Sequence, residues 1–437
     1  CKEAYDRHIR IASLAEKYVE SRRKLHIFVP AAAGAGPADQ GARGGSSARW
    51  GRGSPGERAG RGAWRSALAA VLPSLRAKLF PSGQGVLCYD ESPEILAFLE
   101  LPQAADWVKE GPATPDHIVH TKRWPCFVPP PAEPDPAALW EAVDQALESY
   151  AAEYRRCASS RLGTEKIPRD PYPRVLLIPG AGMVTAGRDW TEATAARDLY
   201  RQTLRVIEAA LGLGGYRALG DDDAFELEFW PLVLLAYASR RPKGELDGKI
   251  ALVAPVGERT GRATARRLLE EGAHVVVADP DERTVRSLEG ELAAEFGGRC
   301  RGVVMALRDE EQAKAALQEA VLCFGGLDVL VLNGGDIPLG VMNDPPLALR
   351  EHSLPAEARG QLALLRAAAQ VMQARGGGAF VLQLGEGAAA RPSAVGEGER
   401  LVRALAAEHG GAGIRVNAVR TGALVPGGEG WPFDRAA

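Results

Sequence analysis

From residue 249 onward, short apolar runs alternate with longer stretches whose apolar positions recur three and four apart. The runs IALVAP, HVVVAD, RGVVMA, DVLVLNGG, GAFVLQL and IRVNAV read as buried strands. Between them, residues 261–271, 282–296, 309–323, 357–374 and 397–409 carry one apolar face each and predict helices. Strands that alternate with helices pair in parallel through crossovers. Residues 247–437 are therefore expected to form a Rossmann-type doubly wound α/β sheet with its ligands at the strand C-termini.

Upstream the pattern is mixed. Residues 63–240 combine helical stretches (SALAAVLPSLRAKLF, PAALWEAVDQALESYAAEYRRC) with the strands GVLCYD and RVLLIPG, which predicts a second α/β domain. The charged segment ASRRPKGELDGK separates it from the sheet domain. Residues 1–30 open with a one-faced helix, and residues 31–62 are a Gly, Ala, Arg and Ser tract expected to act as a low-complexity linker. AYDRHIRIASLA (4–15) and LYRQTLRVIEAA (199–210) share their Tyr, Arg and aliphatic offsets; an internal repeat and two similar amphipathic helices both account for this.

Composition narrows the function classes. A 46% hydrophobic content over 437 residues fills more than one core, and a formal net charge of −3 gives no pull toward nucleic acid or an anionic membrane. A small molecule is the expected partner. Six cysteines without a CxxC pair suggest neither a zinc site nor a disulfide framework and suit a reducing cytoplasm. There is no apolar run long enough to span a bilayer.

Four stretches carry a resemblance: GPATPDHIVHTKRWP (111–125), VLLIPGAGMVTAGRDW (175–190), GGYRALGDDDAFELEFWPL (214–232), and LDGKIALV followed by GRATARRLLEEGAHVVVADPDE (246–282). The chain resembles the bifunctional class II aldolase/short-chain dehydrogenase family, the rhamnulose-1-phosphate aldolase/alcohol dehydrogenases. That resemblance implies NAD-dependent oxidation of a small hydroxy-aldehyde or alcohol in deoxy-sugar metabolism. It also implies that residues 1–30 are the terminal helix of a truncated aldolase domain, and that 63–240 is an aldolase-like second domain. The family's metal-ligand Gly-His-Gly is matched by IPGAGMVTAG with Ala181 in the histidine's place, so aldol chemistry from this chain is not expected. His117 and His120, flanking Asp116, have ligand chemistry, but no third ligand accompanies them and hydrogen bonding is the preferred reading.

A short-chain dehydrogenase cradles the pyrophosphate in a TGxxxGxG loop, since only glycine lets backbone come so close to a phosphate. Here the pattern falls on Ala254 to Gly261, and only Gly261 stands in its family place. Pro255 removes an N–H and Glu258 brings a negative charge, while Gly257 and Arg259 compensate in part. Asp279 ends the second strand where a carboxylate accepts ribose hydroxyls and favours NAD. The family's Asp-Val after the third strand is Ala306-Leu307, and its Asn-Asn-Ala-Gly is Leu332-Asn333-Gly334-Gly335. The candidate cofactor contacts are thus Gly257, Arg259, Gly261, Asp279, Asn333, Gly334 and Gly335.

The proton relay is missing. The resemblance calls for a serine, a Tyr-x-x-x-Lys pair and an asparagine; the serine's place holds Gly385 and the asparagine's Glu357. Tyr237 is the last tyrosine and Lys314 the last lysine, and the stretch 386–399 is about seven residues short by comparison with the family. His352 and His409 read as solvated helix residues. The expectation is a degenerate relative with no catalytic residues and no metal, weak nucleotide binding at most, and a role in assembly, as a homo-oligomer or as the partner of an active paralogue.

Overall fold

The computed structural model describes residues 55–163, 170–238, 244–257, 259–306, 310–333, 356–385 and 392–421. The helix expected over 1–30, most of the linker, Glu258, Leu307, Gly334, Gly335 and His352 lie outside them. By contacts the described residues form two units: 55–68, 89–186 and 192–238 in the first, and 69–88, 187–191 and 244–421 in the second.

The elements of the first half are α1 (Pro55–Leu79), β1 (Val86–Asp90), α2 (Pro93–Leu99), α3 (Ala104–Trp107), α4 (Pro115–Thr121), β2 (Cys126–Phe127), α5 (Pro136–Leu162), β3 (Val175–Ile178), β4 (Gly182–Gly187), α6 (Trp190–Leu211), α7 (Asp221–Glu228) and α8 (Pro231–Ala238). α1 corrects the linker boundary, because residues 55–62 are its first two turns. Pro55 opens the helix, where proline's fixed φ and missing N–H are harmless. The smaller sheet has the order β1-β4-β3-β2, with β2 and β3 parallel and β3 and β4 antiparallel. Ile95, Phe98, Val175, Leu177, Met183, Tyr200, Leu204 and Ile207 close one core against it. α5 is capped at both ends: Asp135 accepts from Ala138 N at 2.8 Å, and Gly163 closes the helix in the left-handed region.

The second half runs β5 (Ile250–Ala254), α9 (Arg259–Glu270), β6 (His274–Asp279), α10 (Glu282–Phe296), β7 (Cys300–Val304), α11 (Glu310–Phe324), β8 (Val329–Asn333), α12 (Ala356–Ala374), β9 (Gly378–Gly385), α13 (Pro392–His409) and β10 (Ile414–Thr421). Its sheet is parallel throughout, in the order β10-β9-β8-β5-β6-β7. Counted from β5 and read from the β7 edge this is 3-2-1-4-5-6, the doubly wound order, which puts the switch point between β5 and β8. Every residue of β5 and β6 is buried, as a sheet covered on both faces requires. Val253, Val256, Ala265, Leu269, Val275, Val277, Leu288 and Leu292 form the core under α9 and α10. α13 starts at Pro392 rather than at 397, so part of the shortened 386–399 stretch is helix, again entered at a proline.

Candidate functional site

The switch point opens at Ala254 and Asn333, the last residues of β5 and β8. Asp279 ends β6 alongside, so the fold brings together the loop 255–257, Gly261, Asp279 and Asn333. Gly261 is required by packing: a Cβ there would stand 2.6 Å from the Pro255 carbonyl oxygen and 2.9 Å from Val256 Cα. Asn333 is buried and donates from Nδ2 to Pro255 O at 3.3 Å, which ties β8 to the same loop.

Asp279 is also buried, and its carboxylate is turned back onto the protein. Oδ2 accepts the backbone N–H of Val256 at 3.1 Å and of Gly257 at 2.7 Å, and Oδ1 accepts that of Asp281 at 3.1 Å. Val256 N shares its hydrogen with Ala278 O, also at 3.1 Å. A carboxylate has about four lone-pair sites, and three are taken here. A ribose diol offers two hydroxyls to an acceptor with room for one. Gly257 keeps this arrangement possible, since a Cβ on it would approach Asp279 Oδ2 to 3.0 Å.

The loop therefore does not fit a pyrophosphate in the usual way. Pro255 has no N–H to give, and the N–H groups of Val256 and Gly257 are already bound. Arg259 is exposed at the start of α9 with no partner among the described residues, which leaves it free for a phosphate oxygen. At the catalytic end, Gly385 closes β9 in register with Thr421 of β10, and Glu357 lies in the first turn of α12. His409 is buried, with its ring 6.2 Å from that of Phe380, which corrects the expectation of a solvated residue.

In the first unit, Ala181 lies buried in the turn between β3 and β4, and its carbonyl accepts from Tyr89 Oη at 2.8 Å. Gly180 passes under the Trp64 indole, and a Cβ on Gly182 would meet Asp90 O at 2.6 Å, so the turn keeps glycines on both sides of the alanine. His117 is buried with Nδ1 3.1 Å from Thr203 Oγ1, whereas His120 is exposed. No group of three or more His, Cys, Asp or Glu with metal-holding geometry occurs among the described residues. Lys122, next in the motif, is fully buried with Nζ 2.5 Å from Asp170 O and 4.1 Å from the Tyr154 ring centre. That burial was not legible in a residue type that is mostly exposed.

Comparison with known proteins agrees with this architecture. Residues 66–234 match the family model "Aldolase class II, second domain", and residues 260–427 match "Enoyl-(Acyl carrier protein) reductase". The uncharacterized oxidoreductase YuxG of Bacillus subtilis is 31% identical over 384 residues, covering 85% of this chain and 56% of YuxG, so the chain spans just over half of that relative. The uncharacterized oxidoreductase MT0793 of Mycobacterium tuberculosis is 34% identical over 185 residues, 41% of this chain and 74% of that protein. A crystal structure of a short-chain dehydrogenase from Mycobacterium smegmatis matches at 29% identity over 42% of this chain and 80% of that one, with a TM-score of 0.35. The chain belongs to the short-chain dehydrogenase family, and joins that domain to a class II aldolase-type domain. Among the described residues no helix is long and apolar enough to cross a membrane.

Proposed function

We propose that this protein is a non-catalytic member of the aldolase/short-chain dehydrogenase proteins of deoxy-sugar metabolism. It binds NAD(H) weakly at most and serves in assembly, as a homo-oligomer or beside a catalytically complete relative in the cytoplasm. The observation that carries this reading is the absence of any tyrosine after Tyr237 and of any lysine after Lys314. Without that pair the family's route for the hydroxyl proton, as hydride leaves the carbon that bears the hydroxyl, is missing from the sheet domain. The occupied Asp279 carboxylate and the Pro255 loop support the weak affinity. Ala181, standing where the family has a metal-binding histidine, supports the loss of aldol cleavage.

Calorimetric titration with NADH tests the binding half. Millimolar affinity in the wild type, or no heat, fits the reading. Saturable micromolar binding that Asp279→Ala weakens would show a working cofactor cradle and overturn it.

A further inference from the structure

At the opposite end of the parallel sheet, where the strands begin, a cavity of about 400 Å³ is lined by Lys249, Asp328, Arg375 and Arg415 and floored by the turn Gly376–Gly378. All of these residues belong to the second unit. Arg76 stands immediately behind, fully buried, and donates from Nη2 to Asp328 Oδ2 at 2.7 Å. Arg375 pairs with the other oxygen of the same carboxylate. Arg76, Arg375 and Lys249 thus share the charge of a single carboxylate, and Arg415 lines the same cavity.

The donors outnumber the acceptors. Arg375, with its side chain 8% exposed, gives Nη2 to Gly83 O at 2.5 Å, but its buried Nε has no partner. Lys249 Nζ also gives to Gly83 O, at 3.2 Å, and an ammonium has three hydrogens. Arg415 is exposed and has no hydrogen bond or ion pair among the described residues. Burial and then the neighbouring Arg76 pull the Arg375 guanidinium down to about 10, and burial, Arg375 and Arg76 outweigh Asp328 in lowering Lys249. Helix ends do not account for the surplus, since the last carbonyls of α12 are already capped by backbone: Arg375 N and Gly377 N donate to Met372 O, and Gly376 N to Gln373 O. The floor is open at Gly376, where a Cβ would meet nothing within 4 Å, and closed by packing at Gly377 and Gly378.

We propose that this cavity is an anion site for a phosphate dianion, held by Lys249, Arg375 and Arg415 and distinct from the dinucleotide crevice. The volume suits a small phosphorylated molecule. Charge-assisted bonds from a lysine and two guanidiniums are the usual means of holding such a group. Free phosphate and a phosphomonoester share this chemistry.

The test is calorimetric titration of the full chain with inorganic phosphate and, separately, with a sugar phosphate, at ionic strength held constant with chloride. Saturable binding of either is expected, weakened about tenfold or more by Arg415→Ala and by Lys249→Met. Tighter binding of the sugar phosphate would assign the site to a phosphorylated metabolite, and tighter binding of phosphate to the free ion. Arg415→Ala removes an exposed, unpaired side chain, so its thermal midpoint without phosphate is expected to match the wild type. Heat that does not saturate, or an affinity that either substitution leaves unchanged, overturns the proposal.

Discussion

Asp279 Oδ2 lies 2.7 Å from the backbone nitrogen of Gly257, so the residue we propose for a ribose binds the loop proposed for its phosphates. Two halves of the proposed nucleotide site satisfy each other. The same contact explains why the loop holds its shape with a single glycine in its family place: an internal carboxylate supplies the acceptor that the cofactor's phosphates supply elsewhere.

Asp279→Ala is accordingly expected to cost stability. It strips the acceptor from the Gly257 and Asp281 backbone N–H groups and leaves the Val256 N–H to Ala278 O alone, a loss of roughly 1–2 kcal/mol. Denaturant unfolding of the two proteins measures it, and equal midpoints would show that water replaces the carboxylate without cost.

Gly261→Ala drives a methyl group into the Pro255 carbonyl and Val256, neither of which is a flexible side-chain end. A destabilisation of about 1–3 kcal/mol is expected from such overpacking. Gly290→Ala on α10 is the matched control, because a Cβ there meets nothing within 4 Å; it should be neutral or stabilise by up to about 1 kcal/mol.

His274 sets an acid limit. It is fully buried, its Nε2 accepts from Trp190 N at 3.1 Å, and burial, then Arg299 and Arg76, lower the ring's pKa to about 3. The unfolded ring, near its ordinary 6.5, takes a proton that the folded ring refuses. Stability is therefore full above about pH 6.5 and falls as the pH drops toward 3, by roughly 2 kcal/mol between neutrality and pH 5. Unfolding free energies across that window check the slope, and His274→Gln should flatten it.

Asp328 anchors the strand starts. Burial pushes its carboxyl up, but Arg76 and Arg375 outweigh this and hold it below the usual carboxylate range. It also accepts from Ile250 N at 2.8 Å. Asp328→Ala leaves two buried guanidiniums uncompensated and is expected to cost about 3–5 kcal/mol. A change in denaturation midpoint corresponding to less than about 1 kcal/mol would mean that the cluster relaxes onto water.

Much of the sheet domain was legible because β5, β6 and β8 are continuous apolar runs bounded by helices of clear period, and local pattern and global order agree there. Three features were not. α1 begins within a tract whose glycines and arginines read as unfolded, at a proline that marks a helix start only once the helix is known. β4 does not read as a strand, because GMVTAG is short and its partner β3 is what makes it one. Arg76 and Asp328 are 252 residues apart, and an arginine on an amphipathic helix reads as solvent-facing until the carboxylate it meets is in place.

We propose that this chain does not transfer hydride. The direct measurement incubates the full-length protein with NAD⁺ and short hydroxy-aldehydes and alcohols deuterated at the carbinol carbon, and looks for deuterium on the nicotinamide ring. No label above the protein-free control is predicted. Stereospecific deuterium on the nicotinamide would contradict the account and require a proton acceptor other than a Tyr-x-x-x-Lys pair.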